Sequence, residues 1–178
     1  LAARQAVGAN KIARETAKLE LRAYVSATPN YMVSFANEEH LVFRVLIKNN
    51  GLTPAYNVKQ RASAIIVYES MEVLKTLPDL GLNFSPPVTI FQGGNIITET
   101  ISQTVVSAAD ITAICSRAAN IIIYGQVLYN DEFKEPRETH FCSIVMADND
   151  TFKKLTEKYD GTDLKVRFSH AQIGNTAT

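Results

Sequence analysis

The chain has 178 residues, 46% of them hydrophobic, and its 18 Lys and Arg are balanced by 18 Asp and Glu. That length fits one domain able to bury roughly 70% of its extended surface, and the composition makes disorder a poor account of most of it. Zero net charge excludes a global basic field recruiting nucleic acid, and no apolar run reaches the about 20 residues that span a bilayer.

Residues 1–20 are expected to form a helix. Ala2, Ala3, Ala6, Val7, Ala13 and Ala17 give strong propensity and a thin apolar stripe, and Lys11 with Glu15 is an i,i+4 pair. Alanine buries little area, so the helix reads as a stalk or packing arm. Its charges, from Arg4 to Lys18, exclude a signal peptide. The chain starts at Leu1, not Met, which reads as a fragment or a processed product.

Residues 21–178 are expected to form one β-domain. Leu19, Leu21, Ala23 and Val25 alternate with Glu20, Arg22 and Tyr24, the period of a half-buried strand, which Thr28-Pro29-Asn30 should close. Tyr31 to Ala36 is a short second run, turned by Asn37-Glu38-Glu39. Leu41, Phe43, Val45 and Ile47 then alternate with Val42, Arg44, Leu46 and Lys48. Asn49-Asn50-Gly51-Leu52-Thr53-Pro54 follows. Asn-Gly accepts positive φ cheaply and Pro54 withholds a donor, so the chain should reverse or change sheets there. Tyr56, Val58, Ala62, Ala64 and Ile66 share the next strand's apolar parity.

Ser70 to Gln92, broken by Pro78, Gly81, Pro86 and Pro87, reads as a long connection with a short strand at Val88–Phe91. After Gly93-Gly94-Asn95, Ile97, Ile101 and Val105 face one way. Ser107 and Asp110 should cap a short helical turn through about Arg117. Ile121 to Tyr129 is apolar enough for the middle of a sheet, Asn130 to Pro136 is a turn, and Arg137 to Met146 is its partner strand. A Lys-rich stretch leads to a last strand at about Leu164 to Ser169, and Gly174 to Thr178 should fray. The sum is a mainly β fold, an immunoglobulin-like antiparallel β-sandwich of about 7–8 strands after an N-terminal α-helix, with a barrel as the alternative.

Chemistry-bearing motifs are sparse. His40, His140 and His170 lack zinc-site spacing, and Gly93-Gly94 precedes a strand rather than the helix a phosphate loop needs. Asp131, Glu132, Glu135 and Glu138 cluster at a hairpin, but the interleaved Lys134 and Arg137 favour a salt-bridge network over a calcium site. Tyr56, Tyr68, Tyr124 and Tyr129 suit a sugar-binding strip or ordinary sheet packing, the latter the commoner use. Asn83-Phe84-Ser85 and Asn149-Asp150-Thr151 match the glycosylation pattern, which chance often supplies. Cys115 and Cys142 read as buried thiols more readily than as a disulfide. No catalytic, cofactor or metal site is expected.

Leu21-Arg22-Ala23-Tyr24-Val25, Asn49 to Ala55, Tyr124-Gly125-Gln126-Val127-Leu128-Tyr129-Asn130-Asp131, Phe133, Arg137-Glu138-Thr139-His140-Phe141-Cys142 and Gly174-Asn175 make an ordered series. In it the chain resembles a group of uncharacterised bacterial membrane-anchored proteins. The resemblance implies a membrane span upstream of Leu1, an alanine-rich stalk and a β-domain, and it carries no catalytic residue. Relatives often have a second cysteine where this chain has Ser169-His170-Ala171-Gln172, which argues against a disulfide at Cys142.

Arg4, Lys11, Arg14 and Lys18 would then lie near the span and point to the cytoplasmic side, with a periplasmic domain as the alternative. The expected function is a non-catalytic, membrane-tethered interaction or scaffold module that binds a protein partner without a cofactor. Tyr24, Asn50, Tyr56, Asp131 and Arg137 are its candidate surface. The alternatives are an accessory subunit of a larger membrane complex, and a carbohydrate-binding or hydrolytic domain using His40, Asp131 and His140.

Overall fold

The computed structural model describes residues 2–34, 38–68, 80–81, 83–146, 167–170 and 176–177. The Lys-rich stretch, the second glycosylation triplet, Gly174-Asn175 and most of the connection after Tyr68 lie outside them. Helix α1 (Ala2–Leu21) leads into strands β1 (Val25–Ser34), β2 (His40–Asn49), β3 (Ala55–Val67), β4 (Val88–Ile90) and β5 (Asn95–Val105). Helix α2 (Ala108–Cys115) follows, then β6 (Asn120–Asn130), β7 (Pro136–Met146), β8 (Arg167–His170) and β9 (Thr176–Ala177).

The strands form two antiparallel sheets. A small one has the order β1-β2-β5; a large one has the order β4-β3-β6-β7-β8, with β9 also on β7. The chain changes sheets at Asn49–Pro54, as expected, and β6 lies in the middle of the large sheet. This is the Greek-key logic of an immunoglobulin-like sandwich, with β1, β2 and β5 facing β3, β6 and β7. Side chains latch the two open flanks: Thr139 Oγ1 donates to the Val25 carbonyl at 2.7 Å, and Thr104 Oγ1 to the Ala64 carbonyl at 2.7 Å.

The core lies between the sheets. Leu41, Phe43, Val45 and Ile47 of β2 meet Ile121, Ile123 and Val127 of β6 and Phe141 of β7, all essentially without exposure. Gly125 leaves room for the Phe141 ring across the ladder: a Cβ there would stand 2.5 Å from Phe141 Cζ and 2.6 Å from the Arg61 carbonyl.

Several expectations need correction. The alternation from Leu19 does not start a strand; α1 runs through Leu21, because Lys18 to Leu21 are good helix formers and extending a formed helix adds a hydrogen bond per residue. Thr28-Pro29-Asn30 does not end β1. Pro29 is tolerated because β1 is a sheet edge, and the ladder absorbs it as a register shift between Pro29 and Tyr31. Tyr56 leaves the parity of Val58, since a register shift and a positive φ of 51° at Asn57 turn it outward. Thr176 and Ala177, placed in a frayed tail, pair with His140 and Thr139.

Candidate interaction surface

The pole of the sandwich where α1 enters is held by a buried asparagine. Asn49 Oδ1 accepts from the Gly51 amide at 3.0 Å and the Tyr24 amide at 3.3 Å, while Nδ2 donates to the carbonyls of Thr53 at 2.7 Å and Ile90 at 3.1 Å. One side chain thus joins the entry to β1, the β2–β3 connection and the end of β4. Gly51 serves this junction by close approach and not by positive φ: a Cβ would lie 2.5 Å from both the Arg22 carbonyl and the Tyr24 amide.

The β6–β7 turn stands at the same pole. Asp131 Oδ1 accepts from the amides of Phe133 at 2.9 Å and Glu135 at 3.0 Å, and Oδ2 accepts from Arg137 Nε at 3.2 Å. Arg137 also pairs with Glu135 at 2.5 Å, and Lys18 of α1 reaches Glu135 at 3.5 Å with its ammonium 5.5 Å from the Phe133 ring centre. The acidic cluster is therefore the expected salt-bridge network, here tying the last turn of α1 to the sandwich.

Four of the five candidate surface residues are accessible and share this pole. Tyr24 is exposed beneath the Arg22 guanidinium, 4.3 Å from its ring centre. Asn50 donates to Ser26 Oγ at 2.8 Å. Tyr56 donates to Glu132 at 2.8 Å, and that bond raises its phenol pKa. Arg137 is half-buried. Asp131 is the exception: at 1% exposure it is a turn-forming carboxylate and not a surface group. An aspartate two residues before a turn amide is the signal that sequence reading passed over.

The residues of a hydrolytic site do not converge. His40 opens β2 at the pole opposite Asp131, and His140 lies in mid-β7, 3.5 Å from Glu138. Tyr124 and Tyr129 are buried on opposite faces of β6, so with Tyr56 and Tyr68 they form no single strip. Among the described residues no group of His, Cys, Asp and Glu is placed to hold a metal, and no helix is long and apolar enough to cross a membrane. No disulfide joins Cys115 and Cys142.

Sequence reasoning missed the most unusual surface. From Thr98 onward strand β5 is turned inside out. Its inward row is Ile96, which packs on the core, and then Thr98, Thr100, Ser102 and Thr104, whose hydroxyls are hydrogen-bonded to the Val45 carbonyl, Gln60 Nε2, the Thr104 carbonyl and the Ala64 carbonyl, respectively. Its outward row holds Ile97, Ile101 and Val105, exposed by 53%, 62% and 53%. Beside them on β2, Leu46 lies across from Ile97, Val42 from Ile101 and Arg44 from Glu99, with an Arg44–Glu99 ion pair at 3.2 Å. Among the described residues the outward face of β2 and β5 is thus an apolar band around the Arg44–Glu99 pair.

The outward face of the large sheet is closed around its apolar part. Ile122, Tyr124 and Cys142 are 0–4% exposed and form a second apolar cluster with Ile65, Val67, Leu80 and Ile144. Burial raises the Cys142 thiol pKa to about 11.

At the pole opposite α1, α2 is held by a capping box. The Asp110 amide donates to Ser107 Oγ at 3.2 Å, and Asp110 Oδ2 accepts from the Ser107 amide at 2.8 Å. The Tyr68 hydroxyl also donates to Asp110. Hydrogen bonds from Ser107, then from Tyr68, lower the Asp110 pKa. Compared with family models, curated proteins and solved structures, the chain finds no match in any of the three.

Proposed function

We propose that the protein is a non-catalytic interaction module, tethered to a bacterial membrane through α1, whose docking surface is the outward face of the small sheet. The inversion of β5 carries this reading. A strand normally turns its apolar row to the core, because a one-residue change of register exchanges the two faces. Here the inward hydroxyls hold the opposite arrangement and leave Ile97 and Ile101 in water, the kind of contiguous apolar surface that marks an interaction site. Support for the tether is the alanine-rich, charged composition of α1 and the exposure of Asn10 to Ala17 along it.

The accessory-subunit reading draws on one further observation. Lys18 ties the last turn of α1 to Glu135 and Phe133, so the helix leaves the sandwich from a fixed point.

A photo-crosslinking side chain at position 101 in the full chain, irradiated in native membranes, tests the proposal. A discrete adduct with one partner is expected from position 101 and not from position 89 on β4. Equal labelling from both positions, or no adduct at 101, overturns it.

A further inference from the structure

We propose that the free edge of β5 accepts an extended strand from a partner polypeptide, one whose outward side chains run apolar, basic, apolar across from Ile97, Glu99 and Ile101. The inference rests on the outward face of the small sheet being the docking surface, and adds how the partner is held and what its contact segment looks like.

The two edges of the small sheet differ. On β1 the edge carries Pro29 and register shifts on either side of Tyr31-Met32, devices that keep an edge from pairing. On β5 the ladder with β2 is unbroken from Asn95 to Ile101, with no proline and Glu99 as the single charge, and among the described residues β5 pairs with β2 alone. Among the described residues, an edge of that length has backbone donors and acceptors that no strand pairs, the template for strand addition.

Charge sets the partner's pattern. Across from Ile97, Glu99 and Ile101, β2 supplies Leu46, Arg44 and Val42. Arg44 Nε and Nη2 donate to the same oxygen, Glu99 Oε2, each at 3.2 Å. Oε1 receives no hydrogen bond from the described residues, and the Glu99 side chain is 49% exposed. A strand on the other side of β5 that repeats the β2 pattern would bring its basic residue to Oε1 and its apolar residues to Ile97 and Ile101, neighbours across a ladder.

A second copy of this chain fits worse. Full antiparallel overlap of Asn95–Ile101 with itself sets Glu99 against Ile97, and sliding it toward Ile101 sets Glu99 against Glu99. The pattern therefore favours a different polypeptide.

The probe is a short synthetic peptide with valine, arginine and valine at alternate positions and threonine between them, titrated into the full chain. Slowed hydrogen exchange of amides within residues 96–101 is expected. Replacing the peptide's arginine by glutamate should weaken binding about fivefold, the scale of an exposed ion pair. Glu99→Lys should reverse that preference, and Ile101→Lys should weaken both peptides, each variant first checked for an unchanged circular dichroism spectrum.

Unslowed β5 amides at saturating peptide, or a preference that Glu99→Lys leaves unreversed, overturn the proposal. If the methyl signals of Ile97 and Ile101 shift while the amides exchange as before, strand addition fails but the docking face stands. Equal protection in concentrated protein without peptide assigns the edge to a second copy and also overturns it. Loss of the position-101 adduct in membranes is the separate result that removes the docking face itself.

Discussion

On the outward face of the large sheet, Ile122 and Cys142 are fully shielded and Tyr124 nearly so; on that of the small sheet, Ile97 and Ile101 stand more than half exposed. Both faces carry branched apolar residues at alternate positions. The large sheet is covered by the chain itself, with Leu80 packed on the cluster, so its apolar row already contributes to folding. The row on β5 contributes little until something covers it. Apolar area kept out of water stabilises by about 25 cal/mol per Å², so the large sheet draws folding stability from an apolar row that the small sheet leaves in water.

Paired truncations give the largest test of that contrast. Ile122→Ala should cost about 2–5 kcal/mol of unfolding free energy, the range for emptying a closed apolar site. Ile101→Ala should stay within about 0.5 kcal/mol, as for an exposed position with no buried partner. Urea unfolding of the two variants measures both, and equal costs would break the comparison.

A second test uses binding. Ile97→Lys combined with Ile101→Lys should leave the unfolding midpoint nearly unchanged, raise solubility, and remove the adduct formed from a crosslinker placed at Val42. A drop in stability as large as that of Ile122→Ala would mean that these isoleucines already serve the fold.

The third test is chemical. With its pKa raised to about 11 by burial, Cys142 presents about one thiolate in a thousand at pH 8. Iodoacetamide should therefore modify Cys142 at the rate of unfolding, while the partly exposed Cys115 is modified in the native state. Mass spectrometry of a labelling time course separates the two, and early labelling of Cys142 would show that the large sheet's cover opens.

What sequence alone revealed follows from how locally each feature is determined. The alternation in β2 was legible because Leu41, Phe43, Val45 and Ile47 are all buried and nothing interrupts their period. The Ser107–Asp110 cap was legible because its partners lie within one turn. Pro29 misled because its effect depends on whether β1 is an edge, a property of the sheet and not of the strand. Tyr56 misled because one αL residue, Asn57, reverses parity without any apolar signal. For β5, the pattern showed that Ile97, Ile101 and Val105 share a face, but only the hydroxyl partners on β2 and β3 decide that this face is outside. Asp131 looked like surface because aspartate usually is, while its role depends on amides that only the turn brings together.

The smallest expected effect concerns the crossover between the two faces, where α2 carries the chain from β5 to β6. Asp110 has a lowered pKa because Ser107 and then Tyr68 hydrogen-bond its carboxylate. A carboxyl with a depressed folded pKa binds fewer protons in the native state than in the unfolded one, so in that interval stability rises with pH. The contribution is fully present above the ordinary aspartate value and is lost as the pH falls through the lowered folded value. Asp110→Asn should thus cost stability at neutral pH, by about 1 kcal/mol as for loss of a helix cap. The difference from the parent chain should shrink below about pH 4, where the unfolded carboxyl gains its proton. If the gap is independent of pH, the carboxylate is not what holds the start of α2. Tyr68→Phe separates the two hydrogen-bond sources, because it removes the second cause of the shift and leaves the Ser107 cap in place.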